Sequence, residues 1–427
     1  MQNNIKNFNY DFIPLILFLL TPLVIITGPF LPDLFLCIIG AYFLYKSIKL
    51  RLWNYYNNIF VYVFSIFYIY LNFRSVFSSD PYFAFSSSLF YFRYLFYTLG
   101  VVYILNIFPK SKKYLCIIIF ITVGIVSVDG LIQYIGGSNI LGWSSGNPQR
   151  ISGFFRDELI LGNYISHIFP IGLSLLFISY KFDNKIKSIF IFFFIVFVQL
   201  IVFLTGERAA FFYLVLFFIT STFVFGKRTI FISIVFYLVS SLGILFFIFN
   251  IGSSNFSYSI KERMLDTTIN QITSVKFRFL PYGPHHEAHY ISSIKMFEDN
   301  MLFGQGPNLF RKLCDNDKFY YNNSCSTHPH NIYIQLLAET GIIGFSFVFL
   351  LFLFSFKKIF FHFISNFFND QRLMIRKELI LPYISLFTFL WPLIPTMNFY
   401  SQIINIFIFM IIGIILKYTY FSKNSDE

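Results

Sequence analysis

The sequence predicts an all-α integral membrane protein with about twelve transmembrane helices and one long periplasmic loop between the ninth and tenth spans. Apolar runs of about 18 residues recur along the whole chain, which is the length a helix needs to cross a bilayer. Of the 427 residues, 56% are hydrophobic and 12% are charged, against roughly 25% charged in soluble domains. The basic residues lie mainly in short segments between the apolar runs.

The predicted spans divide the chain into three regions. Residues 1–249 form a transmembrane region of nine spans, residues 250–332 form the periplasmic loop, and residues 333–427 form three spans with a short cytoplasmic tail. The predicted spans are 11–27, 31–46, 58–73, 87–107, 114–134, 159–179, 188–204, 209–226, 229–249, 333–356, 379–397 and 402–417.

The distribution of basic residues predicts the orientation of the chain. An even number of spans places both termini on one side, and that side carries 19 of the 32 Lys and Arg residues. Positive charge accumulates in cytoplasmic loops, so both termini are predicted to be cytoplasmic. The net charge of +12 is therefore explained by topology, and no nucleic-acid partner is expected.

The opposite face carries arginine and no lysine outside the long loop. Its five basic residues are Arg74, Arg93, Arg150, Arg156 and Arg208. Arginine keeps its charge when partly buried, and its planar fork matches phosphate oxygens. This composition indicates an anionic ligand; the alternative is chance in a small sample.

The loop at 250–332 is too short and too charged to hold a large core of its own, so we expect helices and irregular segments packed on the membrane face. Residues 289–300 predict an amphipathic helix with Tyr290, Ile294 and Phe297 on one face. Cys314 and Cys325, eleven residues apart, either form a disulfide in an oxidising periplasm or remain free thiols. No cysteine or histidine spacing suggests zinc.

Two further stretches carry charge at the predicted outer face. In TGERAAFF, residues 205–212, Glu207 and Arg208 lie in a tight turn, and charged residues so near the bilayer are functional candidates. The alternative is a simple interfacial ion pair. In QRISGFFRDELILGNY, residues 149–164, Arg150 and Arg156 flank a glycine. Asp129 is predicted to pair with one of these arginines, in a structural or a catalytic role.

The stretch THPHNIYIQLLAETGIIGF, residues 327–345, places histidines at the entrance of an apolar helix. A histidine of near-neutral pKa suits proton removal from a hydroxyl, which makes His330 a candidate base. Asn331 is a candidate to orient His330 or a substrate sugar. Gly341 and Gly344 are expected to share a helical face and let a neighbouring helix approach closely.

The spacing of His330, Asn331, Gly341 and Gly344 resembles the signature of the O-antigen ligase and polymerase superfamily of bacterial lipid-linked glycan transferases. The stretches RISG at 150–153, GERAAFF at 206–212 and EDNMLFGQGPNLF at 298–310 are similar to the same family. The resemblance covers roughly residues 120–350.

The resemblance implies a metal-independent and cofactor-free glycosyl transfer at the periplasmic face of the bacterial inner membrane. The donor would be a glycan on undecaprenyl diphosphate, and the acceptor a hydroxyl of lipid A-core. His330 would be the base or an acceptor-site residue, next to His328 and Asn331. The diphosphate would be held by Arg150 and Arg208 together with a loop arginine, either Arg278 or Arg263. Arg156 and His286 are further candidate binding residues.

One position departs from the family pattern. Many relatives carry an arginine four residues before an aromatic residue, and here the aromatic residue is Tyr290 and that position is His286. Either His286 replaces the arginine or Arg278 reaches into the site.

Other functions remain open on the sequence. A polymerase would use the same donor with a lipid-linked glycan as acceptor, and a protein O-oligosaccharyltransferase would use a protein hydroxyl. A secondary transporter would need a midplane site between similar halves, and the chain shows no such internal similarity.

Overall fold

The computed structural model describes residues 2–147, 149–180, 185–225, 260–273, 284–368 and 377–421. These residues are mainly helical and contain no β-strand. The longer helices are, in chain order, α1 (Gln2–Val24), α2 (Phe30–Lys49), α3 (Ile59–Val76), α4 (Pro81–Ser88), α5 (Arg93–Ile107), α6 (Ser111–Gly136), α7 (Leu161–Ser179), α8 (Lys185–Leu204), α9 (Arg208–Phe225), α10 (Thr267–Thr273), α11 (Pro284–Asp299), α12 (Phe310–Leu313), α13 (Ile332–Phe368), α14 (Lys377–Phe389) and α15 (Gln402–Thr419).

Length and composition confirm an all-α membrane protein. Among the described residues, seven helical segments are long and apolar enough to cross a membrane, and four shorter apolar helices accompany them. The predicted ninth span at 229–249 lies outside the described residues, as do parts of the predicted loop. The count of twelve spans and the position of the loop therefore stay predictions.

Helix α3 shows how an apolar helix is used on both faces. Phe64 and Leu71 are buried in the bundle, whereas Ile59, Ile66 and Ile69 are exposed. Exposed isoleucines along a whole helix face are costly in water but match a hydrocarbon environment. The exposed side of α3 is thus suited to lipid.

Close helix packing organises the bundle. Helix α5 packs between α2 and α15, and α7 packs against α6, α9 and α14. Two glycines permit close approaches between helices: a Cβ at Gly100 would lie 2.8 Å from Ile39 Cγ2, and one at Gly172 would lie 2.7 Å from Ile119 Cγ2. Small residues at such crossings let backbones approach, which is the usual basis of helix association in membranes.

The predicted span at 379–397 ends early, at Phe389. Pro392 and Pro395 follow in the sequence, and a proline disfavours helical geometry in the residue before it and lacks a backbone donor. Residues 390–401 are therefore non-helical, and their carbonyls and amides are available to hold other elements.

Gly341 breaks helix α13, which corrects the prediction that it shares a packing face with Gly344. Its backbone has φ 62° and ψ −168°, a conformation that glycine adopts easily. A Cβ at Gly341 would lie 2.3 Å from the Leu302 carbonyl oxygen. The segment 301–306 satisfies the interrupted backbone, because the Ile342 amide donates to the Met301 carbonyl at 2.9 Å. Gly344 does lie in the helix, against Tyr70 of α3.

The helix predicted at 289–300 runs from Pro284 to Asp299. Of the residues predicted to form its apolar face, Tyr290 is buried. Ile294 is 47% exposed, whereas Met296 is fully buried. Met296 packs with Phe310, Cys314, Phe319 and Ala338 in a small core of its own. Helix α11 thus turns a partly polar face towards α13, which hydrophobic periodicity alone does not reveal.

Candidate functional site

The turn between α8 and α9 gathers three arginines around Gly206. Gly206 has φ 68°, and a Cβ there would lie 2.5 Å from the Gln149 carbonyl oxygen, 3.1 Å from Arg150 Cγ and 3.2 Å from Arg263 Cδ. Only glycine fits this crowded, left-handed position without strain. Arg208 follows two residues later as the first residue of α9. We call Arg150, Arg208 and Arg263 the arginine cluster.

Arg263 is anchored to the same turn from a different part of the chain. It lies in a π-helical turn, Glu262–Asp266, and its Nε donates to the Gly206 carbonyl at 2.8 Å. Burial lowers the pKa of Arg263 to about 10, with further lowering by the positive charges of Arg150 and Arg208. The guanidinium therefore stays charged at neutral pH, close to two like charges.

Glu207 is the acidic member of this site. Its carboxylate accepts hydrogen bonds from the Gly162 amide at 2.8 Å and from the Asn163 side chain at 2.7 Å. Arg150 Nη2 lies 3.6 Å from the same carboxylate. Burial raises the pKa of Glu207 to about 7, although Arg150 and the amide donors act in the opposite direction.

Arg150 is held by the loop that precedes α7. Its Nη2 donates to the Leu159 carbonyl at 2.5 Å, while within the described residues its Nε has no acceptor. Burial lowers the pKa of Arg150, and the Glu207 carboxylate opposes this. A buried donor without an acceptor is costly, so the described contacts leave part of the hydrogen-bonding capacity of Arg150 unused.

Asp129 does not pair with the arginines as predicted. Its carboxylate accepts from the Ile140 amide at 3.0 Å and from the Asn139 side chain at 3.3 Å. These partners follow α6 directly, so Asp129 fixes the start of the loop that carries Arg150. The role is structural.

The remaining outer arginines have other partners. Arg156 is exposed, and its guanidinium lies 3.9 Å from the centre of the Trp143 ring. Arg74 donates to the Gly304 carbonyl at 2.7 Å, and Arg93 pairs with Asp33 at 3.1 Å. The predicted arginine-only face therefore separates into structural arginines and the arginine cluster.

Four histidines meet in a second group. The ring centre of His330 lies 4.1 Å from that of His328, 5.3 Å from that of His286 and 5.5 Å from that of His289. We call these four residues the histidine cluster. The carbonyl of His330 accepts from the Thr396 amide at 2.8 Å, so the α14–α15 connection fixes its backbone.

The histidine cluster contains neutral bases. Burial, followed by the charge of His289, lowers the pKa of His330 to about 4. Burial, followed by His330, lowers the pKa of His328 to about 3. The predicted near-neutral pKa of His330 is thus corrected: several imidazoles share a space with little water, and protonating one of them is unfavourable.

The sequence assigned no role to His289. Its Nδ1 lies 2.7 Å from the Ser324 carbonyl oxygen, and this contact selects the tautomer that carries its proton on Nδ1. Ser324 is adjacent to Cys325, which is bonded to Cys314, so the first of the two predicted cysteine states is the observed one. The spacing of His286 and His289, three residues apart on a helix, was the available signal.

Asn331 caps α13 and does not have the predicted orienting role. Its Oδ1 accepts from the amides of Tyr333 at 3.0 Å and Ile334 at 3.2 Å, while its Nδ2 donates to the Pro392 carbonyl at 2.8 Å. The side chain is almost fully buried. Because both ends of the amide are occupied, Asn331 positions His330 only through the backbone.

The two clusters are linked through the α14–α15 connection. Thr396 holds His330, and the next residue, Met397, lines a narrow cleft together with Asn163, whose side chain binds Glu207. Arg278 lies outside the described residues. Within the described ranges, no group of three or more His, Cys, Asp or Glu side chains is arranged to hold a metal ion.

The fold and the two clusters define a helical membrane protein with a polar site built from loops and helix ends. Residues 190–349 match the family model described as O-antigen ligase. This match supports the predicted resemblance to the O-antigen ligase and polymerase superfamily, and the matched family implies lipid-linked glycan transfer in general. The matched region includes Arg208, Arg263 and His330. No curated protein matches the chain.

Proposed function

We propose that this protein transfers a glycan from undecaprenyl diphosphate to a sugar hydroxyl of lipid A-core, without a metal ion or cofactor. The reaction takes place at the periplasmic face of the bacterial inner membrane, with both termini in the cytoplasm. The observation that carries the proposal is the arginine cluster, which lies within or beside the region matched to the family and concentrates positive charge on one turn.

The arginine cluster binds the donor diphosphate. Arg208 and Arg263 supply charge from α9 and the π-helical turn, and Arg150 supplies an Nε donor that needs an acceptor. When the bond between the sugar anomeric carbon and the diphosphate oxygen breaks, negative charge develops on the leaving oxygen. Preorganised cationic donors stabilise that charge, which is usually a large contribution to catalysis.

His330 removes the proton of the acceptor hydroxyl as the new glycosidic bond forms. The low pKa of His330 ensures that its imidazole is unprotonated and can accept this proton. The bound diphosphate adds negative charge nearby and so strengthens this base in the donor complex. The rings of His286, His289 and His328 surround that of His330 and line the position of the hydroxyl.

Polymerisation is the second candidate, with a lipid-linked glycan as acceptor. Such an acceptor carries its own diphosphate and requires a cation on the histidine side of the site. Arg311 is exposed, and its charge acts on His328, so it is placed to receive a second diphosphate.

A reconstituted transfer assay tests both candidates. The purified protein is incubated with an undecaprenyl-diphosphate glycan and chelator, and with either lipid A-core or a second lipid-linked glycan. Glycan attached to lipid A-core supports the ligase function, and chain growth on the lipid-linked glycan supports polymerase. Failure with both acceptors, by protein that is folded and binds the donor, contradicts the proposal.

A further inference from the structure

Glu207 places a carboxylate beside the arginine cluster, where its negative charge opposes the binding of an anion. It lies between the arginine cluster and the start of α7, and it is almost fully buried. A site for a diphosphate gains no affinity from a negative charge of its own. A buried carboxylate at this position therefore needs an explanation in terms of the function of the site.

We propose that Glu207 is the positioning residue of the donor subsite, and that it takes up one proton when a lipid diphosphate sugar binds there. This inference rests on the proposed function. In the empty site the ionised carboxylate holds Arg150 and the α7 terminus in place. In the occupied site the neutral acid keeps these contacts without repelling the phosphates.

The hydrogen bonds of Glu207 explain its positioning role. Its Oε1 accepts from the Gly162 amide, and its Oε2 accepts from both the amide and the side chain of Asn163, at 3.2 and 2.7 Å. Carboxylates near helix N-termini are favoured by the unpaired amides and the helix dipole. Glu207 thus joins the α8–α9 turn to α7 and places Arg150 beside them.

The charges of the site explain the proton uptake. Three arginines and one carboxylate give a formal charge of +2, which equals the magnitude of the charge on a diphosphate diester. Among the described residues, the charged groups near Glu207 include Arg150 from the preceding loop, the adjacent Arg208, and Arg263 from the π-helical turn. Once two phosphate groups bind these arginines, the positive charges are paired with the phosphates as well as with Glu207. The ionised form of Glu207 is then less favourable, and its neutral form is favoured.

The protonation state of the empty site supports this coupling. The pKa of Glu207 is about 7, mainly because of burial, so in the empty site the carboxylate is mostly ionised at pH 8. An added anion raises this pKa further, and binding at pH 8 then draws a proton from solvent. No covalent bond changes in this step, and the proton returns to solvent when the lipid diphosphate leaves.

Calorimetric titration measures this proton directly. The probe is farnesyl-diphospho-N-acetylglucosamine in detergent micelles, since a diphosphate diester has no group of its own that titrates near pH 8. Titrations at pH 8 in two buffers of different ionisation enthalpy give the number of protons bound. For the full-length protein we expect about 0.5–1 proton per ligand at pH 8, and the contribution of Glu207 should fall towards zero at pH 5, where this carboxylate is already protonated before the ligand binds.

Two variants isolate the source of the proton. Glu207→Gln removes the titrating group and should abolish uptake while binding persists and becomes insensitive to pH between 6 and 8. Asp129→Asn is the matched control, because Asp129 is another buried carboxylate that holds backbone amides in the adjoining loop, and its uptake should equal that of the unaltered protein.

The outcomes separate the two proposals. Absence of binding by the folded, unaltered protein contradicts the proposed donor subsite. Binding without proton uptake at pH 8 overturns the proposed role of Glu207 but not the donor subsite. Undiminished uptake in Glu207→Gln also overturns that role, because the proton would then come to the histidines. If Glu207→Gln does not fold, the pH dependence of uptake in the unaltered protein still decides the question.

Discussion

The arginine cluster and the histidine cluster are both partly removed from water, and burial has opposite consequences for them. In each cluster burial lowers the pKa of a basic side chain. Arg263 falls only to about 10 and keeps its charge, whereas His330 falls to about 4 and loses it. The same desolvation therefore leaves one cluster cationic and gives the other unprotonated, proton-accepting imidazoles, because the two kinds of side chain start from different intrinsic pKa values.

The two clusters also differ in how they are supported. The arginine cluster is built on helix ends and a tight turn, with Glu207 as a buried anchor. The histidine cluster depends on the segment 284–331, which is braced by the Cys314–Cys325 disulfide. Changes in the first cluster should act on donor binding, and changes in the second should act on the transfer step.

Replacing His330 should have the largest effect. His330 has φ 60°, a left-handed conformation that asparagine tolerates better than alanine. His330→Asn therefore removes the imidazole with little backbone strain. Loss of a general base typically costs about 10²–10⁴-fold in rate, so transfer in the reconstituted assay should fall by at least about 100-fold.

The same variant should keep its affinity for the lipid diphosphate sugar within about twofold, since the arginine cluster is unchanged. Calorimetry with the farnesyl probe provides this control. Transfer within a factor of three of the unaltered protein would remove His330 from the mechanism.

Arg208→Lys should have the next largest effect. Lysine keeps the positive charge but loses the planar fork that binds two phosphate oxygens. We expect donor affinity to fall about tenfold, or about 1.4 kcal/mol. The matched control is Arg156→Lys, because Arg156 is an exposed outer-loop arginine stacked on Trp143. Equal losses in the two variants would show that the arginine cluster has no special role.

Local sequence patterns correctly predicted those features that depend on residues close together in the sequence. The apolar runs predicted a helical membrane protein, and the tight turn at Glu207 and Arg208 was predicted from the Thr205–Gly206 sequence around it. The resemblance indicated a loop arginine, and Arg263 was one of the two alternatives considered, with Arg278. These features survive because helix formation and turn geometry are set over a few residues.

The errors involve partners that are distant in sequence. The side-chain amide of Asn331 donates to the carbonyl of Pro392, which is 61 residues away. The backbone of Gly341 packs closely against the carbonyl of Leu302. The low pKa of His330 depends on burial and then on the charge of His289 from helix α11. Such partners are selected by tertiary packing, and no local spacing in a single sequence encodes them.

Removing the disulfide should have a smaller effect that is confined to the histidine cluster. A disulfide that closes a short loop contributes about 2–3 kcal/mol, and here it also fixes the Ser324 carbonyl that binds His289. The Cys314→Ser, Cys325→Ser double variant should lower the transfer rate about threefold to tenfold and inactivate at a lower temperature.

Donor affinity of that double variant should be unchanged, because the arginine cluster does not depend on this loop. Cys37→Ser is the control for loss of a cysteine, since Cys37 is free and exposed. A loss of donor affinity instead of transfer rate would contradict the division of roles between the clusters.

The smallest expected effect is that of mild acid on the proton-accepting region. The neutral form of His330 is the active form, so activity is full above its pKa and is lost as pH falls through about 4. At pH 5 about nine-tenths of this group remains neutral, whereas a histidine with the ordinary pKa of about 6.5 would be about 3% neutral.

The measurement is the kcat/KM for the donor in the Glu207→Gln variant. This quantity reports the titrating groups of the free enzyme, and in this variant the carboxylate at position 207 no longer contributes to it. Between pH 7 and pH 5 this value should change by less than about twofold, with activity recovered on return to pH 7. A drop of about thirtyfold centred near pH 6.5 would mean that His330 is accessible to water, and the contrast between a charged and a neutral cluster would no longer hold.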